Sequence, residues 1–247
     1  MIVRRWCVAS LAAILLCSVT ARAQIPLIAD SSSPLVEINA GFVGTDVLVF
    51  GAKEGPGDVI VTVRGPLATY SVRRKQRVAG VWLNADRVDF RDVPSFYAVA
   101  SSRPLDKVMT PAAQAREQIG IDHLGLEPAE QTDVAERDAF TAAFIRIKQH
   151  AGLFGSEVGS VRVLADRLFR TEIHLPSNVP TGKYDVEVML VRGEEITAQT
   201  VHLEVSKGGR GADVYEFAHE QSAAYGLIAI LGALLAGWAA HLVFRKI

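Results

Sequence analysis

The chain has 247 residues, with 26 Lys and Arg against 27 Asp and Glu, a formal net charge of −1. So even a balance offers no electrostatic footprint for nucleic acid, and none is expected as a partner. Two cysteines in the whole chain are too few for a disulfide-stapled scaffold, so the fold must rest on an ordinary apolar core, for which the length suffices.

The N-terminus reads as an export signal. Arg4 and Arg5 precede an uncharged apolar run over 6–20, and Ala21-Arg22-Ala23 then supplies small residues at the positions a signal peptidase requires. This pattern predicts a signal peptide at 1–23, cleaved so that the mature chain begins at Gln24. The run is short for a bilayer span, and Leu16 before Cys17 is not the small residue that precedes a lipid-modified cysteine. Cys7 and Cys17 both fall inside the signal, which leaves the mature chain without a disulfide, a thiolate metal site or a cysteine nucleophile. Loss of Arg4, Arg5 and Arg22 moves the net charge from −1 to −4.

Next comes a series of short strands. Segments 35–39, 46–51, 59–64, 70–73, 81–84 and 96–100 alternate or are rich in β-branched residues, and turn residues such as Gly55-Pro56-Gly57 and Gly65-Pro66 separate them. Arg73, Arg74, Lys75 and Arg77 form the densest charge cluster of the chain, with no acid among them. Their position predicts a hairpin end between strands 70–73 and 81–84. As a functional feature the cluster is a candidate contact for an anionic ligand, a partner or lipid headgroups; as plain surface it is a solvated hairpin tip.

A helical insertion is expected over about 105–155. Thr110 can cap a helix that starts at Pro111 and ends at Gly120. A longer helix is expected from Pro128 to about Gly152, with Phe140, Ala143, Phe144, Ile147, Ala151 and Phe154 as one apolar stripe packed on the sheets. Acids Glu130, Asp133 and Glu136 lie early in it, and Arg146 and Lys148 late, which suits the helix dipole.

Strands are expected again at 158–164, 168–175, 183–191 and 196–205. Tyr184, Val186, Val188 and Leu190 fall on one face and Asp185 and Glu187 on the other, while Val201, Leu203 and Val205 alternate with His202 and Glu204. Arg192-Gly193-Glu194-Glu195 reads as the turn between the last two. The fold class is therefore mainly β: an antiparallel β-sandwich of immunoglobulin or fibronectin type over 24–206, with the helical insertion inside it and one transmembrane helix after it. His174 with Glu172 and His202 with Glu204 lie on polar strand faces. Only if their strands paired in register could they bind zinc or copper; otherwise they line a solvated face.

The C-terminus reads as a membrane anchor. Residues 207–222, opening on Lys207-Gly208-Gly209-Arg210-Gly211, form a juxtamembrane linker that becomes helical from 212. From 223 to 244 no Asp, Glu, Lys or Arg occurs, and a helix of this length spans about 33 Å, enough to cross a bilayer. Arg245 and Lys246 follow at once, with Asp213, Glu216 and Glu220 on the other flank. Basic residues stay cytoplasmic, so the predicted orientation places the domain outside and the 245–247 tail inside. Ala229, Ala233 and Gly237 recur every fourth residue as a candidate helix-packing face.

The segments Asn178-Val-Pro-Thr-Gly-Lys-Tyr-Asp-Val-Glu-Val and Gly80-Val-Trp-Leu-Asn-Ala-Asp, with the ending Tyr225-Gly…Ala236-Gly-Trp…Phe244-Arg, resemble an uncharacterised family of alphaproteobacterial transmembrane proteins, the Alph_Pro_TM type. The resemblance covers the whole mature chain and carries no catalytic residues with it. It implies a bacterial inner membrane, a periplasmic domain, and at most an accessory role beside a permease of the sulfite-exporter type.

The chain contains no G-x-S-x-G elbow, Walker A loop, H-E-x-x-H or dinucleotide fingerprint, and no cofactor is expected. The leading expectation is a non-enzymatic, membrane-anchored interaction or accessory module, with the bilayer and an inner-membrane permease as partners. A metal-binding protein or enzyme on the polar strand face, and a structural envelope protein, are the alternatives.

Overall fold

The computed structural model of the chain describes residues 26–39, 41–78, 80–128, 133–208, 218–219 and 221–244. The expected signal at 1–23, most of the linker, and the tail at 245–247 lie outside the described residues.

The architecture is mainly β. In chain order the strands are β1 (Leu27–Ser31), β2 (Leu35–Ile38), β3 (Gly44–Lys53), β4 (Asp58–Arg64), β5 (Leu67–Val78), β6 (Val81–Pro94) and β7 (Tyr97–Ser101). After the helical insertion follow β8 (Gly159–Ser160), β9 (Arg162–Leu164), β10 (Leu168–Pro176), β11 (Gly182–Arg192) and β12 (Glu195–Lys207). A four-stranded sheet has the order β1-β3-β10-β9, a six-stranded sheet the order β2-β12-β11-β4-β7-β8, and β5 and β6 pair only with each other. Pairing is antiparallel except for β12 with β2 and β7 with β8.

The two sheets face each other across one core. Val47 and Val49 of β3 and Phe169, Ile173 and Leu175 of β10 meet Val59, Val61 and Val63 of β4 and Tyr184, Val186, Val188 and Leu190 of β11. The alternation read from β10, β11 and β12 is the alternation seen, because one face of each strand meets this core. Gly193, at φ +65, closes the β11–β12 hairpin with Arg192 paired to Glu195, as the sequence implied.

A second core lies on the other face of the six-stranded sheet. There Ile60 of β4, Met189 and Val191 of β11, and Tyr97 and Val99 of β7 pack under the insertion and the base of the β5–β6 ribbon. This is why β4 is buried on both faces along its centre, and why β11 stops alternating after Glu187.

The insertion begins with α1 (Leu105–Val108), a turn not expected from the sequence, followed by α2 (Pro111–Arg116) and a 3-10 turn at Ile121–His123. Thr110 caps α2, its Oγ1 accepting from the Ala113 N–H at 3.3 Å. The helix ends before Gly120 because Gln118 already adopts φ +52. The long helix, α3, runs Val134–His150, with the Asp133 carboxylate accepting from the Val134 N–H at 2.9 Å. Pro128 instead forms an isolated bridge with Phe90. Tyr97 ties the insertion down: its hydroxyl donates to the Gln118 carbonyl at 3.1 Å and accepts from the Gly120 N–H at 2.9 Å.

The stripe on α3 differs from the expected one. Phe140 and Phe144 are buried, but Ile147 is 56% exposed and Lys148 is only 5% exposed. Positions 140, 144 and 148 are each four apart and stack on one face, so the cation occupies the core position.

A final helix, α4, spans Ser222–Phe244. Its side chains are described from Ser222 to Trp238 and at His241. Among the described residues no helix is long and apolar enough to cross a membrane; the run to Trp238 alone falls short of the about 20 residues a span needs.

Phe144 is the ring on which the second core closes, 5.3 Å from Phe90, 5.6 Å from Tyr70 and 5.9 Å from Phe154. Phe144→Ala is expected to lower stability by about 3–5 kcal/mol. Ile147→Ala, one turn-step away, should change it by less than about 0.5 kcal/mol. Chemical denaturation of the detergent-solubilised protein, followed by near-UV circular dichroism, checks the contrast; equal losses would restore the sequence-derived stripe.

Candidate functional site

The hairpin that carries the basic cluster is longer than the sequence implied. Instead of two short strands, β5 and β6 form one continuous ribbon that turns at Gly80, whose φ is +88. Its base is packed: Tyr70 and Phe90 pair across the strands, as do Val72 and Val88, and all four lie on the second core. Isolated two-stranded hairpins are marginal in water, so this base holds the ribbon.

Lys148 joins the base to the rest of the domain. Its ammonium lies 3.5 Å from the centroid of the Tyr70 ring, 5.6 Å from Phe154 and 5.7 Å from Phe144, and donates to the Ser95 carbonyl at 3.2 Å. Three π faces and one carbonyl thus take the place of a carboxylate partner. Burial holds its pKa down to about 8. The sequence signal for it, a lysine in phase with Phe140 and Phe144, reads by default as the polar side of the helix.

Beyond the base the four cations divide. Paired residues on an antiparallel ribbon share a face, and successive residues alternate. Arg74 turns toward α3, where its guanidinium lies 4.8 Å over the Phe140 ring and 3.5 Å from the carboxylates of Asp86 and Glu136. The register shifts at this point, between the pairs Arg73↔Arg87 and Lys75↔Asn84. Arg73, Lys75 and Arg77 occupy the opposite, outward face.

Two residues of β6 complete that face. Arg87 stands across from Arg73, and Trp82 across from Arg77. Arg87 is engaged with Asp89 through two bonds of 2.8 Å, and Ser71 also donates to Asp89. Hydrogen bonding from Arg87, then from Ser71, holds the Asp89 carboxyl below its ordinary range. The tip is apolar and uncovered: Val81 is 60%, Trp82 63% and Leu83 51% exposed. Sequence reasoning found the cations but not their union with Arg87 and Trp82. Gly80, a turn residue just ahead of Val81, was the signal for it, since pairing of Val78 with Val81 brings Arg77 opposite Trp82.

The other candidates are placed as follows. His174 lies on β10 in the four-stranded sheet, with Nδ1 2.7 Å from Asp46, and His202 lies on β12 in the six-stranded sheet, with Nδ1 2.9 Å from Asp185. The two strands do not pair. Because Ile173, Leu175, Leu203 and Val205 fill the core between the sheets, alternation sends His174 and Glu172 out of one side of the domain and His202 and Glu204 out of the other. The structure therefore does not bring these four together. Ala229, Ala233 and Gly237 align along α4, exposed like the Leu and Ile side chains around them.

Lys148 makes stability depend on pH with a definite sign. Between about 8 and its ordinary 10.5 the unfolded chain holds the Lys148 proton and the folded chain does not, so stability rises with pH. Burial raises the phenols of Tyr70 and Tyr184, the latter to about 12, so their contribution is full below their ordinary 10.0 and is lost above it. The denaturation midpoint should therefore rise from about pH 8 to about pH 10, and Lys148→Met should abolish the rise. A rise that persists in Lys148→Met would assign it to another group.

A protein-family profile described as "Putative transmembrane protein (Alph_Pro_TM)" matches residues 26–246. No curated protein matches the chain.

Proposed function

The chain belongs to the Alph_Pro_TM family, and from that premise we propose that it is a membrane-anchored, non-catalytic interaction module, its β domain held on the periplasmic face of a bacterial inner membrane by α4. The observation that carries this reading is the helix Ser222–Phe244. Residues Ala239-Ala240 and Leu242-Val243-Phe244 continue its uncharged sequence past Trp238, and a helix of that whole length reaches about 34 Å, the thickness of a hydrocarbon core. Leu227, Ile228, Ile230, Leu231, Leu234 and Leu235 are all exposed on it, which a bilayer accommodates and water does not. The orientation follows from Arg245 and Lys246 on one flank and acids on the other.

The immunoglobulin- or fibronectin-like reading of the sandwich belongs to the same proposal, since such domains serve many unrelated partners through their edges and loops. An accessory role beside a permease of the sulfite-exporter type gives the stripe Ala229, Ala233 and Gly237 a use, because small residues at this spacing let a second membrane helix approach closely.

Alkaline carbonate extraction tests the anchor. The full chain is expected to stay with the membrane pellet, and a chain ended after Gly208 to appear in the periplasmic fraction. Gly208 is the right limit because β12 runs to Lys207 and the Gly208 N–H donates to the Ile38 carbonyl at 2.9 Å. Release of the full chain by carbonate would sink the reading.

A further inference from the structure

We propose that the tip of the β5–β6 ribbon is a second, peripheral membrane contact: Trp82 enters the interfacial layer of a bilayer containing anionic lipid, and Arg73, Lys75 and Arg77 bind its phosphate headgroups. This rests on the anchored-module reading, which keeps the domain beside a bilayer.

The order of side chains along the ribbon carries the assignment. Val81, Trp82 and Leu83 are the outermost exposed apolar residues, and folding leaves them uncovered. Arg77 stands directly across from Trp82, and Lys75 lies two residues further back on the same face, about 7 Å at strand rise. A headgroup layer is about 5–8 Å deep. With Trp82 at the boundary of the acyl chains, Arg77 and Lys75 therefore lie at phosphate level. Arg73 is two residues further still, where attraction to a charged surface persists over a Debye length of about 8 Å. Trp is the side chain whose amphipathic ring favours this depth.

Arg73 also stands directly across from Arg87. Like charges directly opposite on a ribbon are destabilising, and Asp89, on the base side of the pair, is engaged by both Arg87 and Ser71. A phosphate at this face relieves that repulsion. The occupant is a surface rather than a free anion, because the ribbon is two strands wide and offers no concavity, while its tip is apolar.

Arg74, clamped over Phe140 and against Glu136, fixes the direction in which the outer ribbon projects. Residues 208–221 lie between β12 and α4 in the chain.

Of the three tryptophans, Trp6 leaves with the signal, so Trp82 and Trp238 can each be isolated by one substitution. The full mature protein carrying Trp238→Phe reports on the ribbon, and that carrying Trp82→Phe reports on α4. Each is reconstituted in vesicles of phosphatidylcholine with or without phosphatidylglycerol, using lipids brominated along the acyl chain as quenchers. Trp82 is expected to be quenched in the anionic vesicles and several-fold less in pure phosphatidylcholine. High salt, or Arg73→Gln with Lys75→Gln and Arg77→Gln, should reduce the quenching several-fold and leave Trp238 unaffected. If Trp238 is quenched and Trp82 is not, the ribbon assignment falls, the anchor stands, and the exposed tip belongs to a protein partner. If Trp82 is quenched equally in both lipids at every salt, the headgroup contacts of Arg73, Lys75 and Arg77 fall, and with them the proposal of an anionic-lipid site. If Trp238 itself is unquenched, the anchored-module reading falls and takes this proposal with it.

Discussion

Burial of β4 on both faces is the constraint that orders the molecule. A strand with a core on each side must be apolar throughout, and Val59, Ile60, Val61 and Val63 meet that demand, with Thr62 the one polar residue among them. Odd positions face the four-stranded sheet and even positions face the helical side. The six-stranded sheet is thereby a middle layer, and the insertion between β7 and β8 acts as its lid. Arg64 at the end of β4 reinforces this, binding Glu187 of β11 at 2.7 Å and the Glu117 carbonyl of the insertion at 3.1 Å.

The ribbon depends on that lid. Its base shares the second core with α3, and each large side chain buried there contributes about 1.5–3 kcal/mol. Past Arg74 nothing comparable supports it. The outer half holds together through its own ladder and the turn at Gly80, while three apolar side chains face solvent. Natural sheets usually blunt such edges with charge, and Arg73, Lys75 and Arg77 serve that purpose as well, discouraging pairing with another copy.

How far the sequence could be read depends on what set each pattern. Strands β10, β11 and β12 alternate because one side meets a core and the other water, so period-two reasoning recovers them and the hairpin at Gly193. The ribbon was legible only as fragments at 70–73 and 81–84, since its outer alternation answers to no core. Lys148 was misplaced because a cation at a core position is stabilised by rings that arrive from Tyr70 and Phe154, distant in sequence. The basic cluster was visible as charge, yet the separation of Arg74 from its neighbours and the addition of Arg87 follow from strand pairing and its shift. His174 and His202 looked alike in one dimension, and only the assignment of β10 and β12 to different sheets separates them.

The parallel pairing of β2 with β12 bears on how the domain meets a load. β12 is the last strand before α4, and Glu204 to Lys207 run alongside Leu35 to Ile38 in register, with β11 on the other side. Tension arriving from the C-terminus acts along the axis of β12. The hydrogen bonds to antiparallel β11 lie across that axis and those to parallel β2 are slanted to it, so the two ladders are strained together in shear instead of opening one after another from an end. The strand that precedes α4 is thus attached so as to resist being drawn out lengthwise.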